Sequence, residues 1–91
     1  MSQPQSDTTV DIKTSIKQFI IDNFFFGSMS ESFEDGDSFL ENGIIDSTGI
    51  LELIEFIENH FNIKAENDEL IPENLDSLNK VTQYVQRKMN N

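Results

Sequence analysis

Apolar side chains recur at helical spacing near the start of the chain, and this pattern predicts an amphipathic helix. Apolar residues stand at three- and four-residue intervals from Ile12 to Phe24, as on the buried face of a helix. Thr8 is a suitable capping residue in front of the pattern, and Gly27 is a suitable stop behind it. We therefore predict a first helix over about residues 9–24.

A second amphipathic pattern predicts a helix over residues 47–61. Its apolar positions repeat at helical intervals, and Glu52, Glu55 and Glu58 lie on the opposite side. Asp46 directly precedes the pattern and is a good N-cap.

The C-terminal part predicts a short helix followed by a longer one. Pro72 suits the first turn of a helix over about residues 71–75, and Asp76 or Ser77 can cap the last helix. The fold class is therefore all-α, a bundle of three longer helices and one short helix.

The segment over residues 27–46 predicts a long loop between helices one and two. It holds three of the four glycines and no sustained period, which is typical of irregular structure. A loop of this length in a small domain either packs on itself or has a function. Its apolar residues need burial: Phe33, Phe39, Leu40, Ile44 and Ile45.

A chain of 91 residues suffices for one core but not for two. We expect residues 1–7, which are polar, to be a disordered lead-in, residues 8–89 to form the domain, and residues 90–91 to be a tail. The predicted core consists of Ile12, Ile16, Phe19, Ile20, Leu53, Ile54, Ile57, Phe61, Val81, Tyr84 and Val85.

The net charge of −11 disfavours binding to nucleic acid or to an anionic membrane, because both reward clustered basic residues. No Lys or Arg lies between Lys17 and Lys64, so the middle of the chain favours a basic protein partner. No apolar run approaches the ~20 residues that span a bilayer, and the start lacks the features of a signal peptide. We expect a cytoplasmic protein without membrane insertion.

Residue types also disfavour catalysis by the chain itself. There is no cysteine, and His60 is the only histidine. His60 lies about three and a half turns from Ser47 on the same predicted helix, too far for a nucleophile–base pair. A calcium loop starting at Asp35 is disfavoured because Phe39 and Leu40 occupy positions that need an oxygen ligand and a glycine. We expect neither an enzyme nor a metal site.

Two stretches resemble a known family. Residues 38–47 read Ser-Phe-Leu-Glu-Asn-Gly-Ile-Ile-Asp-Ser, and residues 72–78 read Pro-Glu-Asn-Leu-Asp-Ser-Leu. With the acidic helix between them, they resemble the acyl carrier proteins and peptidyl carrier domains. The resemblance runs from about Thr8 to Lys88, and it implies the four-helix acyl-carrier-like bundle that the apolar pattern predicts.

The resemblance implies that Ser47 accepts phosphopantetheine from coenzyme A through a magnesium-dependent phosphopantetheinyl transferase. Asp46 would cap the helix and take part in transferase recognition. The carrier, a monomer, would then shuttle an acyl or aminoacyl thioester from an adenylating acyl or aminoacyl ligase to a downstream acyltransferase or synthase. The docking residues expected beside Ser47 are Thr48, Leu51, Glu52 and Glu55.

The chain departs from the common family pattern in two places. Thr48 and Gly49 follow Ser47 where the family most often has Leu, and Glu55 replaces an exposed Met of fatty-acid carriers. The Asp-Ser-Thr-Gly form looks more like stand-alone carriers that work with a dedicated ligase. Because Gly costs about 1 kcal/mol relative to Ala in a helix, we expect a soft first turn.

Asp76-Ser77-Leu78 copies the family's usual attachment tripeptide. The residues after it leave room for one helix only, so we interpret Ser77 as a helix cap. The alternative function is an unmodified acidic interaction module that binds a basic protein partner. The cargo stays open among fatty acyl, aminoacyl, alanyl for envelope decoration, and polyketide units.

We expect added salt or magnesium to raise the melting temperature, because counterions screen the crowded carboxylates. Thermal unfolding followed by circular dichroism at low and high ionic strength measures this. A melting temperature that does not change across the series contradicts the expectation.

Overall fold

The computed structural model of the chain describes residues 6–25 and 33–90. These residues form four α-helices and no strand: α1 Ser6–Ile20, α2 Ser47–Phe61, α3 Pro72–Leu75 and α4 Leu78–Met89. A π-helical turn, Ile21–Phe25, follows α1, and a 3₁₀ turn, Asn67–Glu69, precedes α3. The predicted all-α bundle of three longer helices and one short helix is confirmed.

Helix α1 begins earlier and ends earlier than its apolar pattern predicts. It takes up Ser6 and Asp7 of the expected lead-in, because Ser and Asp are themselves favourable at a helix start. Thr8 therefore lies inside the helix and is not its cap. At the other end the chain widens into the π-helical turn. The expected stop at Gly27, residues 1–5 of the lead-in and Asn91 of the tail lie outside the described residues.

Helix α2 has the predicted bounds, and both of its ends are capped. The Gly49 N–H donates to Asp46 Oδ1 at 2.7 Å, which satisfies one of the free donors of the first turn. Asn62 ends the helix in the left-handed region with φ 58°, and its N–H donates to the Glu58 carbonyl. The start of α2 is thus fixed by a side chain, and its end by a backbone turn.

The core lies where α1 packs against α4 and α2 covers both. Nine of the eleven predicted core residues are buried, whereas Phe19 and Phe61 are half-buried at its edge. The loop adds Phe33, Phe39 and Ile45 to the core. Ile44 is half-buried and Leu40 is 44% exposed, so the expectation of burial was wrong for Leu40.

Asp76, at the junction of α3 and α4, ties the loop before α2 to the bundle. Its carboxylate accepts hydrogen bonds from the Ser38 hydroxyl and, at 3.0 Å, from the Leu40 N–H. Its backbone carbonyl accepts the Phe39 N–H at 2.8 Å. Three bonds from one residue therefore hold the segment that leads into α2.

A second set of hydrogen bonds holds the same loop at Asp35. Lys13 Nζ of α1 donates to Asp35 Oδ2 and to Asn79 Oδ1, each at 3.0 Å. The Asn79 N–H in turn donates to the Asp35 carbonyl at 3.0 Å. Residues 33–46 of the loop are therefore anchored to the bundle at two points.

Glu69 clamps the segment before α3 onto α4. Its carboxylate accepts hydrogen bonds from the Tyr84 hydroxyl at 2.7 Å, from Lys88 Nζ at 3.0 Å and from the Glu66 N–H at 3.0 Å. These bonds favour the charged carboxylate, the Glu66 N–H most, and lower the pKa of Glu69 from 4.5 to about 2. Burial, and then the bond to Glu69, raise the pKa of Tyr84 well above its usual range.

Gly49 allows α2 to approach the π-helical turn closely. A Cβ at this position would lie 2.6 Å from Phe24 Cε1 and 2.7 Å from Ile45 Cγ2, distances at which atoms overlap. The glycine that weakens the first turn of α2 is therefore needed for packing.

We expect Gly49→Ala to lower the free energy of unfolding by about 1 kcal/mol, because overpacking costs more than the improved helix propensity returns. Urea unfolding measures the change. Gly36→Ala is the matched control, since a Cβ there meets only Asn79 Nδ2 at 4.0 Å. A Gly49→Ala variant as stable as the Gly36→Ala variant contradicts the close approach.

We expect the stabilising effect of Glu69 to be pH-dependent. The pKa of Glu69 is depressed in the folded state, so its contribution is present above about pH 4.5 and is lost as the pH falls towards 2. The difference in free energy of unfolding between the native chain and Glu69→Gln should therefore shrink over that range. Asp68→Asn, an exposed neighbour, is the control, and a difference that is constant with pH would argue against the clamp.

Candidate functional site

Ser47, the predicted attachment residue, is exposed at the first position of α2. Its side chain forms no hydrogen bond within the part of the chain that the structure describes. Asp46 caps the helix beside it through the Gly49 N–H, so the cap occupies the Asp46 carboxylate and not the serine hydroxyl. The hydroxyl lies at the positive end of the helix dipole, next to backbone donors of the first turn.

A small cleft of about 170 Å³ opens beside Ser47. Its walls come from the loop, from the first turn of α2, and from the segment that runs through α3. Most of its lining is apolar, and the polar members are Ser47 and Asp76. The lining residues are Leu40, Ser47, Ile50, Leu70, Ile71, Pro72, Leu75 and Asp76.

The anchors described above hold the walls of this cleft in place. Asp76 fixes Leu40 on one side, and the clamp at Glu69 fixes the chain just before Leu70 on the other. Asn74 supports the same segment, because its Nδ2 donates to the Glu69 carbonyl at 2.9 Å. Sequence reasoning missed the cleft, although Leu40 and Ile71 were a signal as apolar residues outside the predicted helical stripes.

The second Asp-Ser-Leu tripeptide has a structural role. Ser77 is 3% exposed, and its Oγ accepts the Lys80 N–H at 3.1 Å as the N-cap of α4. The interpretation of Ser77 as a cap is confirmed. Because Ser77 is buried, this tripeptide presents no exposed hydroxyl. The Asp76 side chain in turn holds the loop.

The predicted docking residues lie on the outer surface of α2. Thr48, Leu51, Glu52 and Glu55 are all exposed, and Leu51 has 62% of its surface accessible. Thr48, Glu52 and Glu55 follow i, i+4, i+7 spacing and share one face of the helix. The structure therefore brings an acidic strip with one apolar side chain next to Ser47.

His60 lies at the far end of α2 and is remote from Ser47. The two positions are thirteen residues apart in sequence, which corresponds to about 20 Å at 1.5 Å per residue. The imidazole is exposed and stacks on Phe56, with ring centroids 5.0 Å apart. Ser47 and His60 therefore form no nucleophile–base pair.

Neither a metal cluster nor a membrane span emerges from the described residues. Residues 6–25 and 33–90 contain no group of three or more His, Asp or Glu side chains arranged to hold a metal ion. None of the helices in these ranges combines the length and apolar character needed to cross a bilayer.

Comparison with known proteins agrees with the architecture. No family model matches the chain. The chain is 30% identical over 76 residues to a D-alanyl carrier protein of Streptococcus mutans serotype c, and the match covers 84% of this chain and 92% of that protein. A carrier protein is not itself catalytic, which agrees with a site that lacks a nucleophile–base pair. With this similarity along most of both sequences and the all-α bundle, the chain belongs to the carrier protein family.

Proposed function

We propose that the chain carries a phosphopantetheine arm on Ser47 and shuttles an acyl or aminoacyl thioester between partner enzymes. The observation that carries this proposal is the position of Ser47 in a member of the carrier family. Its side chain is exposed at the first residue of α2, where an entering enzyme can reach it. Of the two other serines that follow an aspartate, Ser77 is buried and Ser38 donates its hydroxyl to Asp76.

The residues around Ser47 fit the arm. Asp46 holds the first turn in place through the Gly49 N–H, while other donors of that turn stay available for the phosphodiester. When bound, the arm supplies a terminal thiol that holds the cargo as a thioester. The chain has no cysteine of its own that could compete for the cargo by thiol exchange.

The acidic strip on α2 is the proposed docking surface. Thr48, Leu51, Glu52 and Glu55 would meet an enzyme surface with basic residues around an apolar depression, because complementary charge speeds and orients association. Three partners would use this surface in turn: the phosphopantetheinyl transferase, an adenylating ligase, and a downstream acyltransferase or synthase. The transferase would also recognise Asp46. We propose that these exchanges take place in the cytoplasm with a monomeric carrier.

The cargo proposed first is an aminoacyl group. The Streptococcus mutans relative is by name a carrier of D-alanyl groups, and this makes D-alanyl the leading candidate here. The Asp-Ser-Thr-Gly sequence at residues 46–49 supports a stand-alone carrier with its own dedicated ligase. Glu55, in place of an apolar side chain, makes fatty-acid synthase enzymes poorer partners.

Intact-mass measurement tests the attachment residue. The native chain, Ser47→Ala and Ser77→Ala are incubated with coenzyme A, magnesium and a promiscuous phosphopantetheinyl transferase. We expect a mass gain of one arm in the native chain and in Ser77→Ala, and none in Ser47→Ala. Circular dichroism of each variant shows that it is folded, which matters for Ser77→Ala because loss of a cap costs about 1 kcal/mol.

Two results would contradict the proposal. A native chain that never gains mass favours the unmodified acidic interaction module. A mass gain that persists in folded Ser47→Ala places the arm on another residue.

A further inference from the structure

The cleft beside Ser47 contains one charged group in apolar surroundings. Its charged member is Asp76, whose carboxylate bonds to the N–H of Leu40 in the cleft wall. The apolar lining residues are Leu40, Ile50, Leu70, Ile71, Pro72 and Leu75. A purely apolar acyl chain in this cleft would press methylene groups against a carboxylate and remove water from it, which is unfavourable. The composition of the cleft therefore favours a ligand with both an apolar part and a cation.

The Asp76 carboxylate has capacity left for such a cation. Its two oxygens offer about four acceptor positions, and the loop uses two of them through Ser38 and Leu40. Among residues 6–25 and 33–90 the ion pairs are Lys13–Asp35 and Lys88–Glu69, so no basic side chain there neutralises Asp76. The charge of Asp76 is thus available to a ligand.

The size of the cleft limits the apolar part of that ligand. Its volume is about 170 Å³, and a closed apolar cavity of about 150 Å³ takes up one benzene molecule. The space is enough for a short side chain and its backbone atoms, and it is too small for a long fatty acyl chain.

We propose that this cleft binds an aminoacyl cargo, with Asp76 accepting the α-ammonium group and the apolar walls contacting a small side chain. The inference rests on the proposed function, since Ser47 is itself a wall of the cleft and a flexible arm on Ser47 keeps its cargo within reach. Asp76 then distinguishes an aminoacyl group from an acyl group of equal size, because only the aminoacyl group carries the positive charge.

Methyl NMR of the loaded carrier tests this proposal. Ser47 is loaded from coenzyme A analogues that carry either an alanyl or a propionyl group through a stable amide, and intact mass confirms loading. The methyl signals of Leu40, Ile50, Ile71 and Leu75 are then compared between the two forms. We expect larger shifts with alanyl, about two- to fivefold, which corresponds to the strength of a solvent-accessible ion pair.

Asp76→Asn separates the charge of Asp76 from its structural role. The amide can still accept the Leu40 N–H and bond to Ser38, so the loop anchor is kept while the charge is removed. We expect the alanyl shifts in this variant to fall to the propionyl level. Glu73→Gln, which removes one exposed charge of α3 outside the cleft, should leave the alanyl shifts as large as in the native chain.

The outcomes distinguish this inference from the proposed function. A chain that cannot be loaded at Ser47 overturns both. A loaded chain in which alanyl and propionyl give equal shifts, or in which Asp76→Asn has no more effect than Glu73→Gln, overturns the aminoacyl site alone and leaves Ser47 as the attachment residue.

Discussion

The hydrogen bonds of Asp76 are the constraint on which the rest of the site depends. One side chain and one carbonyl hold Ser38, Phe39 and Leu40 against the junction of α3 and α4. Phe39 is thereby kept in the core, and its own carbonyl accepts the N–H groups of Ile44 and Ile45. The chain reaches Asp46 from a fixed direction, and α2 begins with Ser47 facing solvent.

The same hydrogen bonds also position the cleft beside Ser47. The loop wall of the cleft and the α3 wall are held together by Asp76, and the clamp at Glu69 keeps the α3 wall on α4. An anchored cleft suits selection among small cargoes, since its walls do not depend on the cargo for their position. In the proposed function, the surrounding acidic surface would attract basic enzymes over a long range, and contacts near Ser47 would select the cargo.

Local pattern predicted the elements well and their mutual contacts poorly. The bounds of α2 follow from a strong apolar period and a capping Asp46, and Ser77 has the residue type that is preferred at a helix start. The tight packing at Gly49 could not be predicted, because it depends on Phe24 and Ile45 arriving at the same place. Leu40 was expected to be buried because it is apolar. Its position in the sequence does not reveal that it lines an open cleft.

The most direct test of the central claim is peptide mapping of the protein purified from cells that produce it with its own transferase. Trypsin cuts after Lys17, Lys64 and Lys80, so Ser47 and Ser77 fall in separate peptides, residues 18–64 and 65–80. The account predicts a phosphopantetheine group on the first peptide, assigned by fragmentation to Ser47. An unmodified first peptide, or an arm on any other residue, contradicts it.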